Sequence, residues 1–296
     1  MGPASMYKII HKQVIAQDIK KIDISAPLIA ARAQPGQFVM VTPVFGETNI
    51  PMTIVDSDER RSMVSLLVHE VGHATRKLGD LSIGECIYQM VGPLGRAAQM
   101  DKYGLVICVA TGVGAAQILP ICRGLKKKGN KVIGIIGAKS KKVLMLESQM
   151  RVVCDETFIT TNDGSYERKG LATGILKELL NKYTVHRVYA IGSVEMMQSA
   201  SLMTRERNIP LRVTLNPHMV NGLGLCGSCR VKINGQFQLA CVDGPEFDGH
   251  MVDYQDLSQR MDAMEPRSWE NQTPSISLRR PGFAGLVKSL WGSTRK

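Results

Sequence analysis

From Tyr7 to Ile87 the apolar residues alternate with polar ones or come in short runs. The stretches YKIIHKQVIAQDIKKIDIS, GQFVMVTPV, PMTIVD and MVSLLVHEV are broken by Pro, Gly and Asp. Period-two alternation between turn formers predicts short strands, and several in succession predict a small antiparallel β-barrel. The texture changes at MVGPLGRA. LVICVA and KVIGIIGA are continuous apolar runs that predict buried strands, and AAQILPICRGLKKK between them has a helical period. ATGILKELLNKY predicts a helix, HRVYAIGS a strand and VEMMQSASLMTRERN a further helix. Strands alternating with helices predict a parallel sheet with right-handed crossovers.

These textures divide the chain into a β-barrel over 6–100, an α/β domain over 101–213, a glycine- and cysteine-rich segment with the short helix YQDLSQRMDAM over 214–264, and a basic tail over 265–296. The tail piece FAGLVKSLW suits docking on a partner or a membrane surface, or is a frayed terminus. MGPAS, ahead of Met6, reads as a cloning scar and is set aside. No apolar run approaches the ~20 residues of a membrane span. The start has no basic region followed by a long apolar stretch, so no signal peptide is expected.

Charge and cysteine change the picture only slightly. The formal charge of +11 invites a nucleic-acid reading, but five basic residues and no acidic one lie between Asn271 and Lys296, so much of the excess is in the tail. Aromatic residues are 5%, which leaves few stacking platforms for single strands, so no nucleic-acid partner is expected. Cys86, Cys108, Cys122 and Cys154 are scattered among apolar neighbours, as free buried thiols are. No disulfide framework is visible, which predicts a reducing, cytoplasmic setting.

Several loops could carry chemistry. VATGVGAAQ follows a predicted strand and opens a helix. Gly112 and Gly114 let the chain turn tightly beside Val113, and the helix start offers free N–H groups to a phosphate; the alternative is a purely structural βα turn. The third glycine of a dinucleotide fingerprint is replaced by Gln117. Gly192 and Glu195, in AIGSVEMM, fall at the same sheet end, where open α/β sheets bind ligands. Asp163, in TTNDGSYERKG, is turn chemistry that could also reach a ribose. In the barrel, IPMT places Pro51, Met52 and Thr53 on a strand, where the Thr53 hydroxyl serves a flavin or only strand propensity. Gly72 and Thr75 flank a helix start that suits a pyrophosphate or a cap.

The strongest signal is MVNGLGLCGSCR. Cys226 and Cys229 are two residues apart, and eleven residues separate Cys229 from Cys241. Gly222, Gly224 and Gly227 free the loop to wrap a cluster and aim N–H groups at its sulfur atoms, as iron–sulfur sites require. Zinc with His218 or His250 is the rival. A thioredoxin-like pair does not fit, because the C-x-x-C does not follow the first strand of a βαβ unit.

Taken in order, IPMT, VGHAT, VGPLG, ATGVGAAQ, IGSVEMM and the cysteine loop resemble the ferredoxin–NADP reductase superfamily with an added [2Fe–2S] loop. NDGSYERKG and ACVDGPEFDGHMVDY are similar to the small subunits of electron-bifurcating NADH-dependent ferredoxin:NADP oxidoreductases, also known as sulfide dehydrogenase flavoprotein subunits. The electron-transfer subunits of dihydroorotate dehydrogenase are cousins. The resemblance covers Tyr7 to Met264. It implies FAD between barrel and α/β domain, with Thr53 facing the isoalloxazine and Gly72 and Thr75 at the pyrophosphate. It implies NAD(P) on Gly112, Val113 and Gly114, with Gly192 and Glu195 nearby, and a [2Fe–2S] cluster on Cys226, Cys229 and Cys241. It also implies a larger flavoprotein partner and, through that partner, ferredoxin. The alternatives are a dihydroorotate dehydrogenase subunit, or a non-catalytic assembly subunit with decayed cofactor sites.

Two residues depart from the pattern. Asn49 stands where the group has an Arg before Ile-Pro, which removes a phosphate-pairing cation. Asn221 stands five residues before the C-x-x-C, where the cousins have Cys and the close group Asp. A neutral amide there removes one negative charge and should raise the cluster potential. Lys139, Ser140, Lys141 and Lys142 follow the second α/β strand, where they could meet a 2′-phosphate or be solvated.

Overall fold

The computed structural model describes residues 7–264. MGPAS and the tail piece FAGLVKSLW lie outside the described residues.

The first sheet is built from β1 (Ile9–Ala16), β2 (Ile19–Ser25), β3 (Phe38–Thr42), β4 (Ile50–Asp58), β5 (Met63–His69) and β6 (Gln89–Leu94), in the order β1-β2-β5-β4-β3-β6, all antiparallel. Its two ends meet where Lys8 bridges Cys86 and Ile87 N–H donates to the Tyr7 carbonyl, which closes the sheet into a barrel. Ile22, Ile24, Val39, Val41, Val64 and Leu66 are fully buried, and β3 and the centre of β5 are buried at every position, which matches their short unbroken apolar runs. A one-turn helix α1 (Pro27–Ala30) and the helix α2 (His73–Asp80) cover the barrel. MVGPL, where the sequence changes texture, is itself the last barrel strand.

The second sheet contains β7 (Leu105–Thr111), β8 (Lys131–Ala138), β9 (Glu156–Thr161), β10 (Arg168–Lys169), β11 (Arg187–Ile191), β12 (Leu211–Thr214) and β15 (Glu246–Asp248). Its order is β10-β9-β8-β7-β11-β12-β15, parallel throughout except for β15. From β7 the chain first winds outward through β8 and β9, then returns to the other side of β7 as β11. The β7/β11 junction is therefore the topological switch point. Helices α3 (Gly114–Lys127) and α4 (Glu147–Val153) pack on one face, and α5 (Ala172–Lys182) and α6 (Val194–Arg205) on the other.

The barrel docks on the α3 face. Ile19, Val55 and Leu67 share a core with Ile118, Leu119 and Cys122, and Arg123 pairs with Asp56 at 3.1 Å. The cysteine segment contributes a hairpin, β13 (Arg230–Ile233) with β14 (Gln236–Leu239), then β15 and the helix α7 (Tyr254–Met264). β15 pairs antiparallel with β12, so this segment extends the α/β sheet instead of standing apart from it.

Candidate functional site

A cavity of about 310 Å³ lies between the barrel and the α/β sheet. Its barrel wall holds Phe38, Pro51, Met52, Thr53, His69 and Thr75. The α/β domain supplies Val113, Ala116 and Gln117 from the start of α3, and Asn216, Pro217, Met219 and Pro245 come from the cysteine segment. Of the residues singled out from sequence, Pro51, Met52, Thr53, Thr75 and Val113 thus line one cavity. Gly72, Gly112, Gly114, Asp163, Gly192 and Glu195 do not line it.

Gly72 is the N-cap of α2, and its conformation is extended. The Thr75 hydroxyl accepts the Gly72 N–H at 2.9 Å and donates to the Gly72 carbonyl at 3.0 Å, which fixes the entry to the helix. Gly72 and His73 at the helix start are exposed, which leaves the turn accessible to an anion. Asn49, just before the Pro51 strand, accepts the Thr42 hydroxyl.

The start of α3 is held hard against the end of β11. A Cβ on Gly114 would lie 2.3 Å from the Ile191 carbonyl oxygen, so only glycine allows this approach. Gly112 has φ +55° with open space around it. Ser193 N–H donates to the Thr111 hydroxyl at 3.2 Å, tying the two loops together across the switch point. Glu195 is exposed in the first turn of α6. Asp163, at the end of β9, accepts both the Ser165 hydroxyl and the Ser165 N–H, at 2.7 and 2.9 Å, and these bonds hold its carboxyl below the usual range. Lys141 N–H donates to the Ser165 hydroxyl at 2.8 Å, and its ammonium lies 4.6 Å from the Tyr166 ring centre. Lys141 is thus already engaged, while Lys139 and Lys142 stand in solvent.

In the cysteine segment, positive φ angles at Gly222, Gly224 and Gly227 curl the backbone. A Cβ on Gly222 would lie 2.5 Å from Met40, so the loop packs directly on barrel strand β3. Cys229 and Cys241 are buried, and the Cys229 thiol donates to the Cys241 sulfur at 3.2 Å. Burial and the neighbouring Cys229 push the Cys241 thiol up to about 11, against the pull of the Gly224 N–H. Cys226 is exposed and lies 3.2 Å from the Ser228 hydroxyl. That hydroxyl and the Ser228 N–H, with backbone N–H groups of Asn221 and Val220, bring the Cys226 thiol down to about 7. N–H groups aimed at sulfur are what a thiolate-ligated cluster needs. Asn221 accepts the Leu223 N–H at 2.9 Å through its side-chain oxygen, closing an Asx turn.

Among the described residues, no three His, Cys, Asp or Glu side chains gather at a point suited to a single metal ion. His218 is exposed and His250 is bonded to the Thr204 hydroxyl at 3.0 Å, so neither joins the cysteines as a zinc site would demand. A two-iron cluster spreads its ligands over two metals, and Cys226 and Cys229 on the curled loop with Cys241 in the turn after β14 offer three sulfur donors of the kind that group takes.

The comparisons agree with this geometry. Residues 216–253 match the family model described as the iron–sulfur cluster binding domain of dihydroorotate dehydrogenase B. A dihydroorotate dehydrogenase B (NAD(+)) electron transfer subunit homolog of Thermotoga maritima is 36% identical over 261 residues, 88% of this chain and 92% of that protein. The chain belongs to this electron-transfer-subunit family. A protein of Clostridium beijerinckii of uncharacterised function is 39% identical over 88% of this chain and 90% of its own length. A chain in the solved structure of an NADH-dependent reduced ferredoxin–NADP oxidoreductase, described in connection with flavin-based electron bifurcation, superposes with a TM-score of 0.84. It is 34% identical and covers 90% of this chain and 96% of that one. Phthalate dioxygenase reductase, at 17% identity and a TM-score of 0.57, shares the fold. The family member described here thus has the ferredoxin–NADP reductase architecture with an iron–sulfur segment. No helix among the described residues is long and apolar enough to cross a membrane.

Sequence inspection did not point to His69, Asn216, Met219 or Pro245 in the cavity wall. None carries a local signature, and each arrives there through long-range packing. Gln117 was visible only as the residue where a third glycine was missing.

Proposed function

We propose that this chain is a flavin-dependent NAD(P)H oxidoreductase subunit that relays electrons between a nicotinamide nucleotide, FAD and a [2Fe–2S] cluster, to or from a larger flavoprotein subunit. The observation that carries this is the single cavity whose walls come from the barrel, the start of α3 and the cysteine segment. A group seated there touches all three. FAD, when bound, supplies the two-electron to one-electron conversion between nicotinamide and cluster.

The chain's own residues hold and screen. Thr53 and the Pro51–Met52 backbone would border the isoalloxazine, and Gly72 and Thr75 at the start of α2 would meet the pyrophosphate. Gly112, Val113 and Gly114 would cradle the dinucleotide phosphates at the switch point, with Gly192 and Glu195 beside them and Asp163 toward the ribose. Phe38, Met219 and Pro245 exclude water from the cavity. Cys226, Cys229 and Cys241 would hold the cluster as thiolates. Asn221 would supply a neutral fourth donor through the oxygen lone pair that its Asx turn leaves free.

Support for a partner comes from the names of the relatives, which are subunits of larger enzymes. The ferredoxin:NADP oxidoreductase type, with ferredoxin reached through the partner, is favoured by the 96% coverage of the matching solved chain. The family model favours dihydroorotate dehydrogenase as the second reading. Seven cysteines free of disulfides suit a reducing cytoplasm. Anaerobic titration of the purified protein with NADH and NADPH tests the proposal. Bleaching of a bound flavin, followed by a reduced-cluster EPR signal, is expected; a colourless protein without iron and sulfide refutes it. The subunit that co-purifies with the native chain separates the two partner readings.

A further inference from the structure

Gln117 and Asn216 form a reciprocal amide pair in the cavity wall. Gln117 Nε2 donates to Asn216 Oδ1 at 2.8 Å, and Asn216 Nδ2 donates to Gln117 Oε1 at 2.8 Å. Both side chains are accessible, and both line the cavity. Gln117 is in the first turn of α3, three residues beyond Gly114 and hence about 4.5 Å further along the helix. Asn216 is two residues beyond β12, on the path to the cysteine loop.

Exposed amide–amide bonds contribute little to stability, because water competes for both partners. Holding two side chains in one geometry also costs rotamer entropy. The wall around them is largely apolar: Phe38, Met52, Leu67, Val71, Ala116 and Met219. Thr75 is bonded to Gly72, and Thr214 is buried in the sheet. Thr53 and His69 are the other polar groups of the wall, and both lie on its barrel side. Gln117 and Asn216 together present two acceptors and two N–H₂ donors in one place.

We propose that Gln117 and Asn216 are the receptor for the carboxamide of the nicotinamide ring. This rests on the NAD(P)H reading above. A primary carboxamide has one acceptor and one N–H₂ donor, the same set that each member of the pair already satisfies in the other. It can replace either arm of the pair, trading two N–H···O bonds for two of the same kind. The ring is thereby fixed in rotation on the α3 side of the cavity, across from the isoalloxazine that Thr53 would border. A carboxylate in place of the carboxamide offers acceptors only, and leaves an amide oxygen facing negative charge.

The test compares NAD+ with nicotinic acid adenine dinucleotide, which differs only in that group, with ADP-ribose as the control. Binding is measured by calorimetry on the protein loaded with its cofactors. The expected result is that the wild-type protein prefers NAD+ by about ten-fold or more. Gln117→Leu combined with Asn216→Leu brings that ratio toward one while ADP-ribose affinity stays the same, whereas a single variant that leaves the receiving amide in place keeps the preference. A wild-type ratio near one overturns the proposal, as does a ratio unchanged in the double variant. The wild-type ratio is decisive even if a variant does not fold. If the loaded wild-type protein binds none of the three nucleotides, the NAD(P)H reading fails, and this one with it. If it binds ADP-ribose and both dinucleotides equally, only the carboxamide receptor fails.

Discussion

Glu246 accepts the backbone N–H of Gln99 at 3.1 Å. Gln99 lies in the connector between the barrel and the α/β sheet, and its carbonyl accepts the Tyr189 hydroxyl. Both backbone groups of this connector residue are therefore held by side chains of the second sheet. Arg212 reaches the same Glu246 oxygen at 2.9 Å, while the other oxygen has no partner. Burial raises the Glu246 carboxyl, opposed by Arg212. The strand that follows Cys241 thus anchors the junction of the two main domains.

Removing this anchor is expected to be costly. Glu246→Ala leaves Arg212 and the Gln99 N–H without their acceptor and should lower unfolding stability by about 3 kcal/mol. Glu246→Leu combined with Arg212→Met should lose clearly less, since no buried charge is stranded. Urea unfolding of the three variants checks this, and equal losses would contradict it.

Asp155 gives a pH-dependent case. Burial pushes its carboxyl upward, but Lys126 at 2.7 Å and the Val132 N–H at 2.7 Å outweigh burial and bring it below its ordinary value. A depressed carboxyl stabilises the fold above its unfolded pKa, and that stability is lost as pH falls through the folded value. Asp155→Asn should therefore melt lower than wild type at pH 7, by about 1 kcal/mol given its partial exposure. The gap should shrink as the pH falls below about 4. Parallel melting curves at the two pH values would contradict the assignment.

Asn221 is the lever on the cluster. Asn221→Asp keeps an oxygen for the Leu223 N–H and adds one negative charge beside the cysteines. The cluster midpoint potential should fall, and iron and sulfide content should hold or rise. Asn221→Leu removes the oxygen and should lower cluster content. Potentiometric EPR with iron and sulfide analysis measures both, and an unchanged potential in Asn221→Asp would reject the charge argument.

The two glycines before α3 should respond differently. An alanine at Gly114 places a Cβ 2.3 Å from a backbone oxygen of β11, which cannot move without opening the switch point. Gly114→Ala should therefore weaken ADP-ribose binding by at least about ten-fold, together with stability. Gly112 has free space and only its φ of +55° to defend, so Gly112→Ala should cost about 1 kcal/mol. Thermal unfolding and nucleotide calorimetry on both variants distinguish the two mechanisms.

Much of the architecture is legible along the chain. The barrel strands announce themselves by alternation or short apolar runs between turn formers, and Val106–Ala110 and Val132–Ala138, buried on both faces, by unbroken apolar runs. The starts of α2, α3 and α6 are marked by small residues, Gly72, Gly114 and Ser193. The cysteine spacing marks its loop without any tertiary information. The place of β15 is not legible. EFD is three residues with no periodicity, and only its pairing with β12 makes it a strand.

The sequence by itself determined the order of the elements, the sheet types and the chemistry of the cysteine loop. These depend on periodicity, glycine conformational freedom and the spacing of ligands along one stretch of chain. Tertiary structure alone decided which distant residues share a wall. Gln117 and Asn216 are 99 residues apart, and Gln99 and Glu246 are 147 apart. Pairings of this kind arise when sheets and helices bury their apolar faces against one another, and no local pattern encodes which polar side chains that packing will bring together.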